Sequence, residues 1–217
     1  MVYSQLVQAI QDYIENSEIT FVANVDLLIE IAEKKIYRAS DLNVARKYEE
    51  ITLPADAKLV SLPADVVIVR SVQYDSDPIA PGVPQNLEFL LQKDPSYIED
   101  MQEDFTPTGI PRYYAHYDAT QLLIFPPTTA NAVLHIAYTE RPEQISDTNI
   151  QTWLSLNAPD VLLYGCLLEA ARFIKDESDI FQMYEKQFGE AFKGMLMEEN
   201  LRNRTDVYRE REIKMGG

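Results

Sequence analysis

The apolar period of this 217-residue chain changes twice, from helical to alternating and back again. Tyr3, Leu6, Val7, Ile10, Tyr13 and Ile14 recur at three- and four-residue steps, which predicts an amphipathic helix over residues 2–15. A second helix is expected from Val25 to Ala39, with Asn24 placed to cap it and Leu28, Ala32 and Ile36 in one row. The stretches "EEITL", "AKLVSL", "VVIVRSVQY" and "LEFLLQ" then read as strands, being short, rich in β-branched residues and separated by Pro, Asp or Gly. The segment "DSDPIAPGVPQN" reads as an exposed loop, and a short acidic helix is expected near Asp94–Glu103. Strands resume at "RYYAHY", "QLLIF" and "AVLHIAYTE". Beyond "RPEQISDTNIQ" the helical period returns, with Asn157 and Asp160 in a capping pattern and Pro159 in the first turn. That helix is apolar nearly all round to Lys175, as a buried central helix is. Asp176 is placed to cap the next, where Phe181, Tyr184, Phe188, Ala191 and Met195 share a face.

Helices at both ends and strands between them define an α+β chain. The simplest architecture is a helical bundle made by the N- and C-terminal helices, with an antiparallel β-rich domain inserted. The boundaries fall at 1–41 and 143–201 for the bundle, 42–142 for the insertion and 202–217 for an extended basic tail.

Charge narrows the function classes. A net charge of −16 argues against a general nucleic-acid binder, which needs Lys and Arg to displace counterions from phosphates. The tail is the exception. Arg202, Arg204, Arg209, Arg211 and Lys214 outnumber Asp206, Glu210 and Glu212 there, giving +2 and leaving −18 for the rest. An acidic body with a basic end is built to meet different partners at its two parts. One cysteine, Cys166, excludes an intramolecular disulfide and favours an intracellular setting. "MVYSQLVQAIQDYIEN" lacks the basic and apolar regions of a signal peptide, and the apolar run Val161–Leu168 is far shorter than the ~20 residues of a membrane span. A soluble protein with no membrane partner is expected.

Catalytic equipment is sparse. "GEAFKGML" holds Gly189 and Gly194 at phosphate-loop spacing but lacks the Lys and hydroxyl residue, and it falls mid-helix. With His116, His135 and Cys166 as the only histidines and cysteine, tetrahedral zinc lacks ligands. "DSDPIA" begins like a calcium loop at Asp75 and Asp77 but lacks the third acid and the glycine. Cys166, within "LLYGCLLEAA", reads as a small buried hydrophobe. The pairs Glu99 with Glu103 and Asp100 with Asp104 read as a solvated helix face, since nothing distinguishes them among 35 acidic residues. No catalytic residue, cofactor or metal is predicted.

"GIPRYYAHYDATQLLIFPPTT", residues 109–129, carries the densest aromatic cluster. Strand alternation puts Tyr113, Ala115 and Tyr117 on one face and Arg112, Tyr114 and His116 on the other. "QLLIF" returns after the turn "DAT", and Leu134, Ile136 and Tyr138 are placed as a third layer. A base-stacking platform needs flanking basic residues, and only Arg112 is near. A structural hairpin is the reading that fits.

Four segments occur in order: "FVANVDLLIEIAEKKIYRASDL", "SLPADVVIVRSVQY", "TGIPRYYAHYDATQLLIFPP" and "TNIQTWLSLNAPDVLLYGCLLEAARFIKD". Together they resemble the head-to-tail adaptors of tailed bacteriophages, the gatekeeper or tail tubular proteins of short-tailed phages. The resemblance spans residues 20–190 and rests on patterns of the form G-x-P-R-Y-Y and N-A-P-D-x-L-L-Y-G. It implies a non-enzymatic structural virion protein that forms a dodecameric ring in the neck. That ring joins the portal protein to the tail nozzle or tail tube and surrounds the DNA channel, assembly taking place in the host cytoplasm. Genomic DNA passes without tight binding. By the same resemblance the tail residues Arg202, Arg204, Tyr208, Arg209, Arg211 and Lys214 are candidates for portal docking. Pro78, Pro81, Pro84 and Tyr114, expected to be exposed and rigid, are candidates for contact between subunits or with the tail. Two other readings are a carboxylate-dependent hydrolase of cell-wall type and an acidic interaction domain outside any virion.

Overall fold

The computed structural model describes residues 1–75, 87–104 and 108–202. The chain is α+β and divides into two compact units, Met1–Val44 with Glu143–Gly217, and Ala45–Pro142.

The first unit is helical. Helix α1, Tyr3–Ile14, buries Leu6 and Ile10 one turn apart, and Gln5 Oε1 accepts the Val2 N–H at 3.1 Å at its start. A single turn, α2 at Ile19–Val22, buries Phe21 and leads into α3, Val25–Ala39. Asn24 occupies the cap position of α3, but its side chain donates to Thr20 O at 2.7 Å instead of capping. Asp26 in the first turn supplies the negative charge that the helix dipole favours there. Helix α5, Trp153–Asn157, is capped by Thr152, whose Oγ1 accepts Ser155 N–H at 3.3 Å while Ser155 Oγ accepts Thr152 N–H at 2.9 Å. Helix α6, Pro159–Ile174, starts on Pro159 with Ala158 at the cap. The expected capping residue Asn157 belongs instead to α5, where its Nδ2 donates to Trp153 O. Asp176 likewise accepts from Glu177 N–H, just ahead of α7, Ser178–Arg202. Leu6, Ile10, Phe21, Ile29, Ile36, Leu162, Cys166 and Met195 share one buried cluster, and Leu167, Ala171 and Tyr184 a second.

Helices α1 and α6 both stop on a left-handed residue, Glu15 at φ 51° and Lys175 at φ 59°. A side chain pays for that conformation where glycine does not. Glu15→Gly and Lys175→Gly are each expected to raise stability by about 0.5–1 kcal/mol, read as a higher urea midpoint at unchanged slope.

The second unit holds two four-stranded sheets. Strands β1 (Arg46–Leu53), β8 (Ala132–Glu140), β3 (Val66–Asp75) and β4 (Leu87–Phe89) form the first in that order. Strands β2 (Leu59–Ser61), β7 (Gln121–Phe125), β6 (Tyr113–His116) and β5 (Leu91–Gln92) form the second. All pairs are antiparallel except β5 with β6, which run parallel. The chain crosses between sheets at Leu90: its N–H bonds Val72 O of the first sheet at 2.9 Å, and Leu91 N–H bonds Arg112 O beside the second at 2.8 Å.

Alternation explains what lies inside. Val72, Tyr74, Tyr114, Leu122, Ile124, Leu134, Ile136 and Tyr138 form a buried cluster drawn from both sheets. Tyr138 hydroxyl donates to Glu49 Oε2 at 2.9 Å, so the phenol is buried with a partner. On the opposite face of β6 and β7, Ile98 of α4 (Pro95–Asp104) packs with Ala115, Leu123 and Phe125. Both faces of β7 are thus covered, which is why "LLIF" is continuously apolar. Leu134, Ile136 and Tyr138 pack in the same cluster as the β6–β7 hairpin from the other sheet, because β8 pairs with β1 and β3 and not with the hairpin strands.

Candidate functional site

The aromatic hairpin folds in the expected register, with Tyr113 opposite Phe125 and His116 opposite Leu122. Its side chains go to three different places. Tyr114 is 3% exposed, within the cluster shared by the two sheets. This corrects the exposed position expected for it. Alternation assigned it to a face, and the facing sheet covers that face. Tyr113 is half-buried over the α4 side, where its ring meets Tyr97 edge-on at 6.0 Å and Lys93 Nζ lies 4.9 Å from the Tyr97 ring. His116 and Tyr117 are exposed. The cluster does not converge on a shared site.

Of the other candidates, Arg204, Tyr208, Arg209, Arg211 and Lys214 lie outside the described residues, as do Pro78, Pro81 and Pro84. Arg202 closes α7.

Cavities open among the described residues of the β unit. One, of about 500 Å³, is wide open and lined by Gln92, Lys93, Asp94, Pro95 and His116. Another, of about 180 Å³, sits on the first sheet, lined by Tyr48, Glu50, Gln73, His135 and Ala137 among others. Register explains it: Tyr48 stands opposite Ala137, and Glu50 and Gln73 both stand opposite His135, so these side chains share the face turned away from the core. His135 Nδ1 is 3.7 Å from Glu50 Oε1, and Nε2 is 3.9 Å from Asp75 Oδ2. A histidine between two carboxylates has the elements of an acid–base pair, but a nucleophile and an oxyanion donor are also needed for hydrolysis. Among the described residues no group of three or more His, Cys, Asp or Glu is placed to hold a metal ion.

Cys166 is fully buried, and burial with the nearby Glu33 and Glu169 pushes its thiol well up, so it is no nucleophile. The carboxyl most clearly displaced upward is Glu33. It lies in the helical core rather than in a cleft.

The same sheet face carries exposed apolar side chains that the sequence reading had not singled out. Phe89 stands opposite Gln73 and Leu87 opposite Asp75, so both share the face of Tyr48, which is 82% exposed. The signal was present in "LEFLLQ", where buried Leu90 interrupts exposed Leu87, Phe89 and Leu91. Among the described residues no helix is long and apolar enough to cross a membrane.

With no convergent catalytic geometry in the described residues, comparison with known families becomes decisive. The chain matches the SU10 adaptor protein family over residues 1–212. It belongs to that family. Nearly the whole chain is covered, so the match includes residues of both the helical unit and the β unit. The resemblance to bacteriophage head-to-tail adaptors is thereby borne out. The adaptor family is structural, and its role is that of a phage virion component. No curated protein matches the chain.

Proposed function

We propose that this SU10-family adaptor assembles as a closed ring, of twelve copies, between the portal and the tail of a phage particle. The family match over residues 1–212 carries this reading. Its work is geometric: ring closure, docking above and below, and a conduit for DNA. The net charge of −16 supports the conduit role, because a like-charged wall across a wet gap prevents the phosphate contacts that would hold DNA. Identical subunits in a ring meet through two different, complementary surfaces. The β unit offers Tyr48 and Phe89 for such contacts. The Pro78–Pro84 stretch is a second candidate, for a neighbouring subunit or the tail nozzle, and the basic residues from Arg202 to Lys214 are candidates for the portal. The reading places the protein in the virion neck after assembly in the host cytoplasm.

Co-sedimentation with purified portal rings tests it. The full chain is expected to travel with the rings, and a chain ending at residue 202 to lose most of that binding. Full-length protein that stays at the top of the gradient overturns the reading.

A further inference from the structure

Glu33 on α3 is a carboxyl with no exposure to water. Its Oε2 accepts the Ile145 N–H at 2.9 Å and its Oε1 accepts the Thr152 hydroxyl at 3.4 Å. Those donors stand at the two ends of residues 145–152, the stretch by which the chain re-enters the helical unit after the strands. One side chain therefore ties both ends of that stretch to α3. Since Thr152 also caps α5, the tie extends to the next helix.

The cations on α3 and on the helices packed against it are engaged elsewhere or exposed. Lys34 pairs with Glu30, Lys35 reaches Glu169 at 2.8 Å, and Arg38 is exposed. Helix α1 has no Lys or Arg, and its Tyr3 hydroxyl donates to Asp26. On α6, Arg172 pairs with Glu169 at 2.7 Å, and the Cys166 thiol is itself pushed up by burial and by the nearby Glu33. The 143–152 stretch adds the acids Glu143 and Asp147 alone, and α5 has no titratable side chain. Among the described residues Glu33 is thus a buried carboxylate held by two neutral donors and no cation, a charge kept at a cost.

We propose that Glu33 is a proton-sensitive latch: with its proton it holds the 145–152 stretch firmly on the helical unit, and on losing it that hold loosens.

The sign follows from the surroundings. Burial disfavours the carboxylate, the Ile145 and Thr152 donors offset part of that, and the pKa stands at about 7 instead of the ordinary 4.5. A group whose value is raised by folding contributes fully below its solvated value. That contribution is lost as pH rises through the folded one, here between 4.5 and about 7. The separation of the two values limits the change in the opening equilibrium to roughly 300-fold.

Hydrogen exchange at the Ile145 amide of the full chain, corrected for intrinsic rate, reads this opening directly. Protection is expected to be more than tenfold lower at about pH 8 than at about pH 5.5. Glu33→Gln keeps an acceptor for Ile145 and is expected to show no such change. Equal protection at both pH values in the native chain, or the same fall in Glu33→Gln, overturns the proposal. Should Glu33→Gln not fold, the side-chain carboxyl carbon of Glu33 in the native chain is titrated by NMR. A midpoint near neutrality is required, and one near the solvated value overturns the latch.

Discussion

A Gly165→Leu protein is expected to be less stable by about 3 kcal/mol, while Gly165→Ala stays within about 1 kcal/mol of the native chain. Gly165 lies where three helices meet. A Cβ there would stand 3.3 Å from Ile36 Cδ1 and 3.7 Å from Ala32 Cβ of α3, and 3.4 Å from Phe188 Cε2 of α7. For alanine two effects oppose each other. Removing a mid-helix glycine gains about 0.5–1 kcal/mol, and the contact with Ile36 requires its terminal methyl to give by a few tenths of an ångström. Leucine adds three more carbons to a space bounded by Ile36 and Phe188, and Leu162, Cys166 and Ala170 around it are already buried. Such overpacking pushes helices apart or forces strained rotamers. Urea unfolding followed by far-UV circular dichroism gives both numbers. A leucine variant within 1 kcal/mol of native would mean that α3, α6 and α7 do not close on this glycine.

The helices were legible in the sequence to the extent that their apolar faces are long and local. Helix α3 has the bounds its spacing predicts, because Leu28, Ala32 and Ile36 repeat at four-residue steps along one face. Helices α2 and α5, with four and five residues, are too short to display a period and went unread. Glu33 escaped for a different reason. A charged residue beside an apolar row reads as solvated, and only the return of Ile145 and Thr152, more than a hundred residues on, buries it. The strands were legible as strands, but their order was not. Strand β8 is sandwiched between β1 and β3, with Arg46 opposite Thr139, and local patterning says nothing about partners that distant. The same limit explains Tyr114. Alternation separated it from Tyr113 and Ala115 correctly, but which face meets water depends on the other sheet and on α4. The family assignment came from ordered patterns across the chain, and the match over residues 1–212 has the same character.

Tyr114→Ala is expected to cost the β unit about 3–5 kcal/mol, as truncation of a large buried aromatic does. The residue is 3% exposed among Leu122, Ile124 and Leu134, and burial pushes its phenol above the usual range. This has a bearing on assembly, because a variant that loses ring formation through unfolding says nothing about a contact. Tyr114→Phe separates the two. It keeps the ring volume and removes only the hydroxyl, so its unfolding midpoint is expected within about 1 kcal/mol of native and its binding to portal unchanged. Tyr117, on the next residue but two and 54% exposed, is the tyrosine of this cluster that a partner can reach. If Tyr114→Phe kept its midpoint and yet failed to bind portal rings, the phenol would have to act as a surface contact, and the buried placement would be wrong. If Tyr114→Ala unfolded at the native urea concentration, the two sheets would not share the core that Tyr114 fills.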